Sequence, residues 1–193
     1  MKDVRYYSNL KEDQFIFELL VKRRGEMGYF LDLGCGNGVD GNNTIALEKI
    51  GWTGILMDKD PAEMAACRQN RQATTITADP TTYDWSNLPR KSYDYISLKL
   101  GVSTLATLTV LLAAGLGFKA ATIPYNGSRP AIRDLLQQNG YTLMLGDVGN
   151  PPSEDWWVTP NIKSIMFDLS PYVTKQTTIL PAIPCIPCGA KKK

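Results

Sequence analysis

The sequence predicts an α/β fold: a doubly wound, mostly parallel seven-stranded sheet with an antiparallel closing strand. Three observations carry this. Short apolar runs alternate with helical stretches along most of the 193 residues. The first run, Tyr29 to Leu33, meets a turn holding Gly34, Gly36, Gly38 and Gly41, and aspartates (Asp32, Asp58, Asp79) stand at the ends of the first three runs. In such sheets ligands sit outside the carboxyl ends of the strands, so these aspartates mark the functional edge.

The elements follow in order. Leu10 to Lys22 carries Phe15, Phe17, Leu19, Leu20 and Val21 at helical spacing and ends at glycines 25 and 28. After the first strand and the glycine turn, Asn42, Asn43 and Thr44 cap a helix to about Ile50, stopped by Gly51. Gly54 to Met57 is a second strand ending at Asp58, and Pro61 opens a helix to about Arg71. Residues 74 to 78 form a third strand before Asp79, and YDYISLKL a fourth. Ala120 to Ile123 is a fifth strand, and Arg129 to Gln138 a helix with a C-cap signal at Asn139-Gly140. YTLML and DWWVTP close the sheet. The expected organisation is an N-terminal helix and linker over 1–28, a core over 29–163 and a proline-punctuated extension over 164–193.

Composition narrows the classes. Hydrophobic residues are 44% and charged residues 21%, ordinary for a soluble fold. The net charge of +2, from 21 basic and 19 acidic residues, gives no whole-domain signature of nucleic-acid binding. Histidine is absent, which excludes Ser-His-Asp hydrolysis and His-ligated zinc. The first residues lack the apolar core of a signal peptide, so a cytoplasmic, reducing location is the expectation. Leu100 to Phe118 carries no charge and approaches bilayer-spanning length. Its small polar residues and strand-like flanks favour a buried crossover helix over a membrane helix. Cys185 and Cys188 have the spacing of half a zinc site or of a redox pair. No second CxxC and no histidine completes a site, so no metal is expected.

The glycines admit two readings. Gly36-Asn-Gly38-Val-Asp-Gly41 fits the dinucleotide pattern G-x-G-x-x-G, which implies a nicotinamide or flavin site. Shifted by two residues, Asp32-Leu-Gly34-Cys35-Gly36-Asn37-Gly38 sets a carboxylate before alternate glycines. That arrangement resembles the first motif of class I S-adenosyl-L-methionine-dependent methyltransferases. A pyrophosphate wants a bare helix N-terminus with no carboxylate beside it. Adenosylmethionine instead carries a sulfonium and an ammonium, which Asp32 suits. Asp58, twenty residues beyond Gly38, can accept both ribose hydroxyls of either ligand. Asp79 fits the position where such methyltransferases bind the adenine amino group, although an aspartate before Pro80 is equally a turn residue.

The flanks sharpen the likeness. LDLGCGNGVDGNNTIALEKIGWTGILMDKDP is similar to the start of FkbM-like methyltransferases, and YDYISLKLG, AATIPYNG and LLQQNGYTLML resemble later strands and the closing helix of that family, over about residues 29 to 160. The resemblance implies methyl transfer to a small-molecule acceptor, most often at a hydroxyl oxygen. It implies cofactor contacts from Asp32, Gly34, Cys35, Gly36, Asn37, Gly38, Asn43, Thr44, Asp58, Asp79 and the backbone at Leu98.

Two departures stand out. The family's fourth strand runs into an acidic residue where this chain has Lys99, and its fifth strand presents Glu-Tyr-Asn where this chain has Pro124-Tyr125-Asn126. Lys99 is therefore the candidate catalytic residue, as a base or an anion binder, against a catalytically silent binder or an ordinary surface lysine. Asn150-Pro151-Pro152-Ser153 reads as a proline-rich turn. Of Trp156 and Trp157, strand alternation puts at most one in an acceptor pocket. The expected function is an adenosylmethionine-dependent methyltransferase, with a nicotinamide-dependent oxidoreductase or a silent adenosylmethionine-binding protein as alternatives. The oligomeric state is left open.

Overall fold

In the computed structural model the described residues are 4–22, 25, 27–163 and 168–173. Cys185, Cys188 and most of the proposed extension lie outside them. Seven strands form one sheet: β1 (Tyr29–Leu33), β2 (Thr53–Asp58), β3 (Thr74–Thr77), β4 (Ser92–Leu98), β5 (Gly117–Pro124), β6 (Thr142–Val148) and β7 (Glu154–Val158). Their order is β3-β2-β1-β4-β5-β7-β6. β1 to β5 are parallel, and β7 runs antiparallel to both its neighbours. This is the predicted architecture, and the strand order reverses between β1 and β4, where such sheets open a crevice.

The helices are α1 (Glu12–Ile16), α2 (Ile45–Lys49), α3 (Pro61–Asn70), α4 (Thr104–Ala113), α5 (Arg129–Gln138) and α6 (Pro160–Lys163). Alternation along the strands divides the core into two layers. On one face Phe30, Leu56, Tyr95, Ala120 and Trp156 pack against Phe15 and Leu19 near the N-terminus, Leu47 of α2 and Met64 of α3. On the other, Leu31, Ile55, Ile96, Ala121 and Trp157 pack against Leu108 and Leu111 of α4 and Ile132 and Leu136 of α5. Both tryptophans are fully buried, so neither lines a pocket.

Local chemistry explains the departures from the predicted boundaries. The N-terminal helix is α-helical only over Glu12–Ile16 and continues as a π-helical turn over Phe17–Lys22. Its entry is held by Asp13, which accepts from the Tyr7 and Ser8 amides, and by Glu12, which accepts from the Leu10 amide. Leu100 to Phe118 holds a ten-residue helix with one buried face, ending at Ala113, two residues before Gly115 with φ +76°. This is the crossover helix expected from its composition, buried along Thr104, Thr107, Leu108 and Leu111 and exposed at Val110. No helix among the described residues is long and apolar enough to cross a membrane.

Candidate active site

The glycine turn leaves β1 beside the crevice, and positive φ shapes it. Gly34 has φ +79°, and a Cβ there would lie 2.3 Å from the Lys99 carbonyl oxygen. β1 and β4 thus touch backbone to backbone, which only glycine permits. Behind the turn lies a buried polar network. Asp32, 1% exposed, accepts through Oδ2 from Asn42 Nδ2 at 2.9 Å and Thr44 Oγ1 at 2.8 Å. Its Oδ1 is buried with no hydrogen-bond partner. Asn42 Oδ1 accepts from the Thr44 and Ile45 amides at 2.9 and 3.0 Å, so the entry of α2 is already capped.

Arg71 ties this network together. Its guanidinium donates to the Gly38 carbonyl, Asn42 Oδ1 and Thr44 Oγ1, at 2.9 to 3.0 Å, and pairs with Glu48 at 3.2 Å. Sequence reasoning missed it, because an arginine ending a helix reads as an ordinary partner for the helix dipole. Asn43 is likewise inward: its Nδ2 donates to Ser97 Oγ at 3.2 Å, while its Oδ1 is buried and unpartnered.

A cleft of about 120 Å³ opens at the carboxyl edge, lined by Gly34, Asp58, Lys59, Asp79, Pro80, Lys99, Leu100 and Ser103. Of the residues expected at the site, Gly34, Asp58, Asp79 and Lys99 therefore line one cavity. Gly36 and Asn37 are partly exposed and do not line it, and Gly38 is buried. Asp32, Cys35, Asn43, Thr44 and Leu98 stand behind it, each no more than 5% exposed. Asp58 Oδ2 accepts from the Gly36 amide at 3.1 Å, joining the end of β2 to the turn. Asp79 accepts from the Thr81 amide and hydroxyl, which hold its carboxyl below the usual carboxylate range. Asn37 folds its side chain onto the Val39 and Asp40 amides and onto Asp40. It shapes the turn.

Lys99 Nζ donates to the Gly41 carbonyl. The ammonium thus spans from β4 to the loop before α2. β7 supplies a buried carboxylate, close enough for Lys99 to act on it, that sequence reasoning missed. Glu154 pairs in register with Pro124, and Thr122 pairs with Ser97. Pro124 and Glu154 therefore stand side by side at the carboxyl edge, and Lys99 follows the end of β4, two residues beyond Ser97. The acid that the sequence lacks at position 124 is present on the neighbouring strand. An acid opening an antiparallel strand was the available signal, because that end lies at the carboxyl edge of the parallel strands.

Glu154 is 4% exposed. Its Oε1 accepts from Trp156 Nε1, and no hydrogen bond to Oε2 occurs among the described residues. Burial and the charge of Glu12 push its carboxyl up to about 8, against the opposing effects of the Trp156 N–H and Lys99. The raised value fixes a sign. In the unfolded chain Glu154 ionises near its ordinary 4.5, so stability falls as pH rises from there through about 8. Glu154→Gln should leave the melting temperature nearly unchanged near pH 4 and raise stability at pH 9 by on the order of 2 kcal/mol. Equal effects at both pH values, read by calorimetry, would contradict a buried acid of this kind.

No family model matches the sequence, and no curated protein matches it. Solved structures do resemble the fold. Magnesium protoporphyrin IX methyltransferase from Synechocystis PCC 6803, solved with adenosylmethionine bound, superposes with a TM-score of 0.56 at 17% identity, covering 77% of this chain and 78% of that one. A TehB-like adenosylmethionine-dependent methyltransferase from Corynebacterium glutamicum gives 0.57 at 16%, over 80% and 88%. The ribosomal protein L11 methylase from Lactobacillus delbrueckii subsp. bulgaricus gives 0.56 at 15%, over 77% of each chain. The chain therefore has the Rossmann-like fold of class I methyltransferases. Its chemistry has to be argued from its own residues.

Proposed function

We propose that this chain is an S-adenosyl-L-methionine-dependent methyltransferase of the FkbM-like type, acting in the cytoplasm on a hydroxyl oxygen of a small molecule. One observation carries the cofactor reading: Asp32 stands buried behind the glycine turn with Oδ1 unpartnered, while the entry of α2 is capped by Asn42. A free carboxylate oxygen behind the turn suits an ammonium and opposes a pyrophosphate. Asp58 and Asp79 at the cleft suit a ribose diol and an adenine amino group. The neighbours' bound cofactor supports the same reading.

Bound adenosylmethionine would supply an electrophilic methyl carbon open to in-line attack by the acceptor oxygen, with S-adenosylhomocysteine as the leaving group. This chain's part is to orient the acceptor and remove its proton. Glu154 Oε2 is the proton acceptor and the Lys99 ammonium holds the acceptor oxygen as it loses that proton. Transfer should then rise with pH to a plateau above about 8, where Glu154 is ionised. Glu154→Gln should flatten that profile. Lys99→Ala should slow transfer at least tenfold with little change in cofactor affinity, measured as demethylated product formed. A rate and an acceptor KM both unchanged would remove Lys99 from the reaction.

Isothermal titration tests the cofactor. S-adenosylhomocysteine should bind and NADH should not, and the reverse would establish the oxidoreductase reading. Product formation with hydroxylated acceptors then separates an enzyme from a silent binder.

A further inference from the structure

A second cavity, of about 300 Å³, is within the size range of small-molecule sites and has apolar walls from Leu10, Val148, Pro171, Tyr172 and Val173. Val148 and Tyr172 belong to the core layer of Phe15 and Trp156. Two contacts tie the cavity to Glu154 and Lys99. Val148 on β6 is the register partner of Glu154 on β7, which sets their Cα atoms about 5 Å apart. Asn9 also lines the cavity and packs on Gly41, where a Cβ would lie 2.8 Å from Asn9 Nδ2; the Gly41 carbonyl is the one that Lys99 Nζ bonds.

The charge of this cavity is one-sided. Among the described residues that line it, only Lys11 is charged. Lys11 holds φ +68°, a left-handed conformation uncommon outside glycine, and its ammonium donates to the Pro171 carbonyl at 3.1 Å. That uses one of three N–H donors. The acids that follow it are engaged elsewhere: Glu12 accepts from the Leu10 amide, and Asp13 from the Tyr7 and Ser8 amides. An exposed ammonium with donors to spare, set over apolar walls, fits a carboxylate carried on an apolar body. A free sugar, polar all round, would bury hydroxyls against walls that cannot bond them.

We propose that this cavity is the acceptor subsite and that the acceptor is a hydroxy acid: its apolar body lies against Val148 and Tyr172, its carboxylate pairs with Lys11, and its hydroxyl reaches Glu154. In transfer the acceptor oxygen bonds the methyl carbon as the carbon–sulfur bond breaks. S-adenosylhomocysteine leaves with that electron pair, and the hydroxyl proton passes to Glu154 Oε2. The acceptor role rests on the function proposed above; binding of the acid does not.

The test uses the full chain, with para-hydroxyphenylacetate and its neutral amide as probes, titrated by ligand-observed NMR. The acid should bind about fivefold tighter than the amide, as an exposed ion pair allows, and Lys11→Met should remove most of that preference. Val173→Trp, at an exposed wall position, should weaken both probes by about tenfold or more while melting like the parent, because the indole takes the cavity. Equal affinity for acid and amide, or a preference that survives Lys11→Met, overturns the charge assignment; parent-like binding by Val173→Trp overturns the cavity. With S-adenosylmethionine added, the acid should yield its methyl ether. Product from another hydroxylated acceptor but none from the bound acid overturns the acceptor role. If S-adenosylhomocysteine fails to bind, the cofactor reading is what fails, and the two variants still decide the cavity.

Discussion

Asp32→Asn is expected to weaken S-adenosylhomocysteine binding by about 10- to 100-fold while leaving the fold intact, since a hydrogen bond to a charged group contributes about 1.5–3 kcal/mol. The substitution is close to isosteric. An asparagine side-chain oxygen can still accept from Asn42 Nδ2 and Thr44 Oγ1, which now donate to Asp32 Oδ2. What disappears is the negative charge and the unpartnered Oδ1. Asp32→Ala should behave differently, because it strands two buried donors at about 1–3 kcal/mol each and lowers stability as well as affinity. Titration calorimetry beside thermal unfolding separates the two effects. If Asp32→Asn bound the probe as tightly as the parent, Asp32 would be only a brace for the Asn42-Thr44 loop, and the cofactor reading would lose its main support.

Much of this arrangement is legible in the sequence, for definable reasons. Strand runs bounded by glycine and aspartate reveal β1, β2 and β3 because the signals are local, and with them Asp58 and Asp79 at the carboxyl edge. Gly34 is legible as a glycine, but the Lys99 carbonyl that requires it is sixty-five residues away and set by the pairing of β1 with β4. Glu154 stayed hidden because it reaches the rim from an antiparallel strand, in register with a proline. The burial of Asn43 and Thr44 was hidden too. At a helix entry both look like polar cap residues facing solvent, yet tertiary packing turns them toward Ser97 and Asp32.

Arg71 shows what such hidden residues contribute, and Arg71→Ala is expected to produce the largest loss of stability in the chain. The side chain is fully buried and stacks over the Phe30 ring at 5.7 Å from its centroid. It supplies a positive charge between the carboxylates of Glu48 and Asp32, directly to the first and through Thr44 to the second. Removing it leaves the Gly38 carbonyl and Asn42 Oδ1 without those donors and takes the counter-charge from the partly buried Glu48 and the buried Asp32. Breaking a buried pair by deleting one partner costs about 3–5 kcal/mol. For a domain of this size that lowers the melting temperature by roughly 10 °C. Arg68 provides the contrast on the same helix. It is exposed and bonds Thr77 Oγ1, so Arg68→Ala should change stability by no more than about 0.5 kcal/mol. Equal melting temperatures for the two alanine variants would show that the network behind the glycine turn does not brace it. A drop confined to Arg71→Ala would place the rigidity of the turn in a residue thirty-three positions beyond Gly38, carried there by α3.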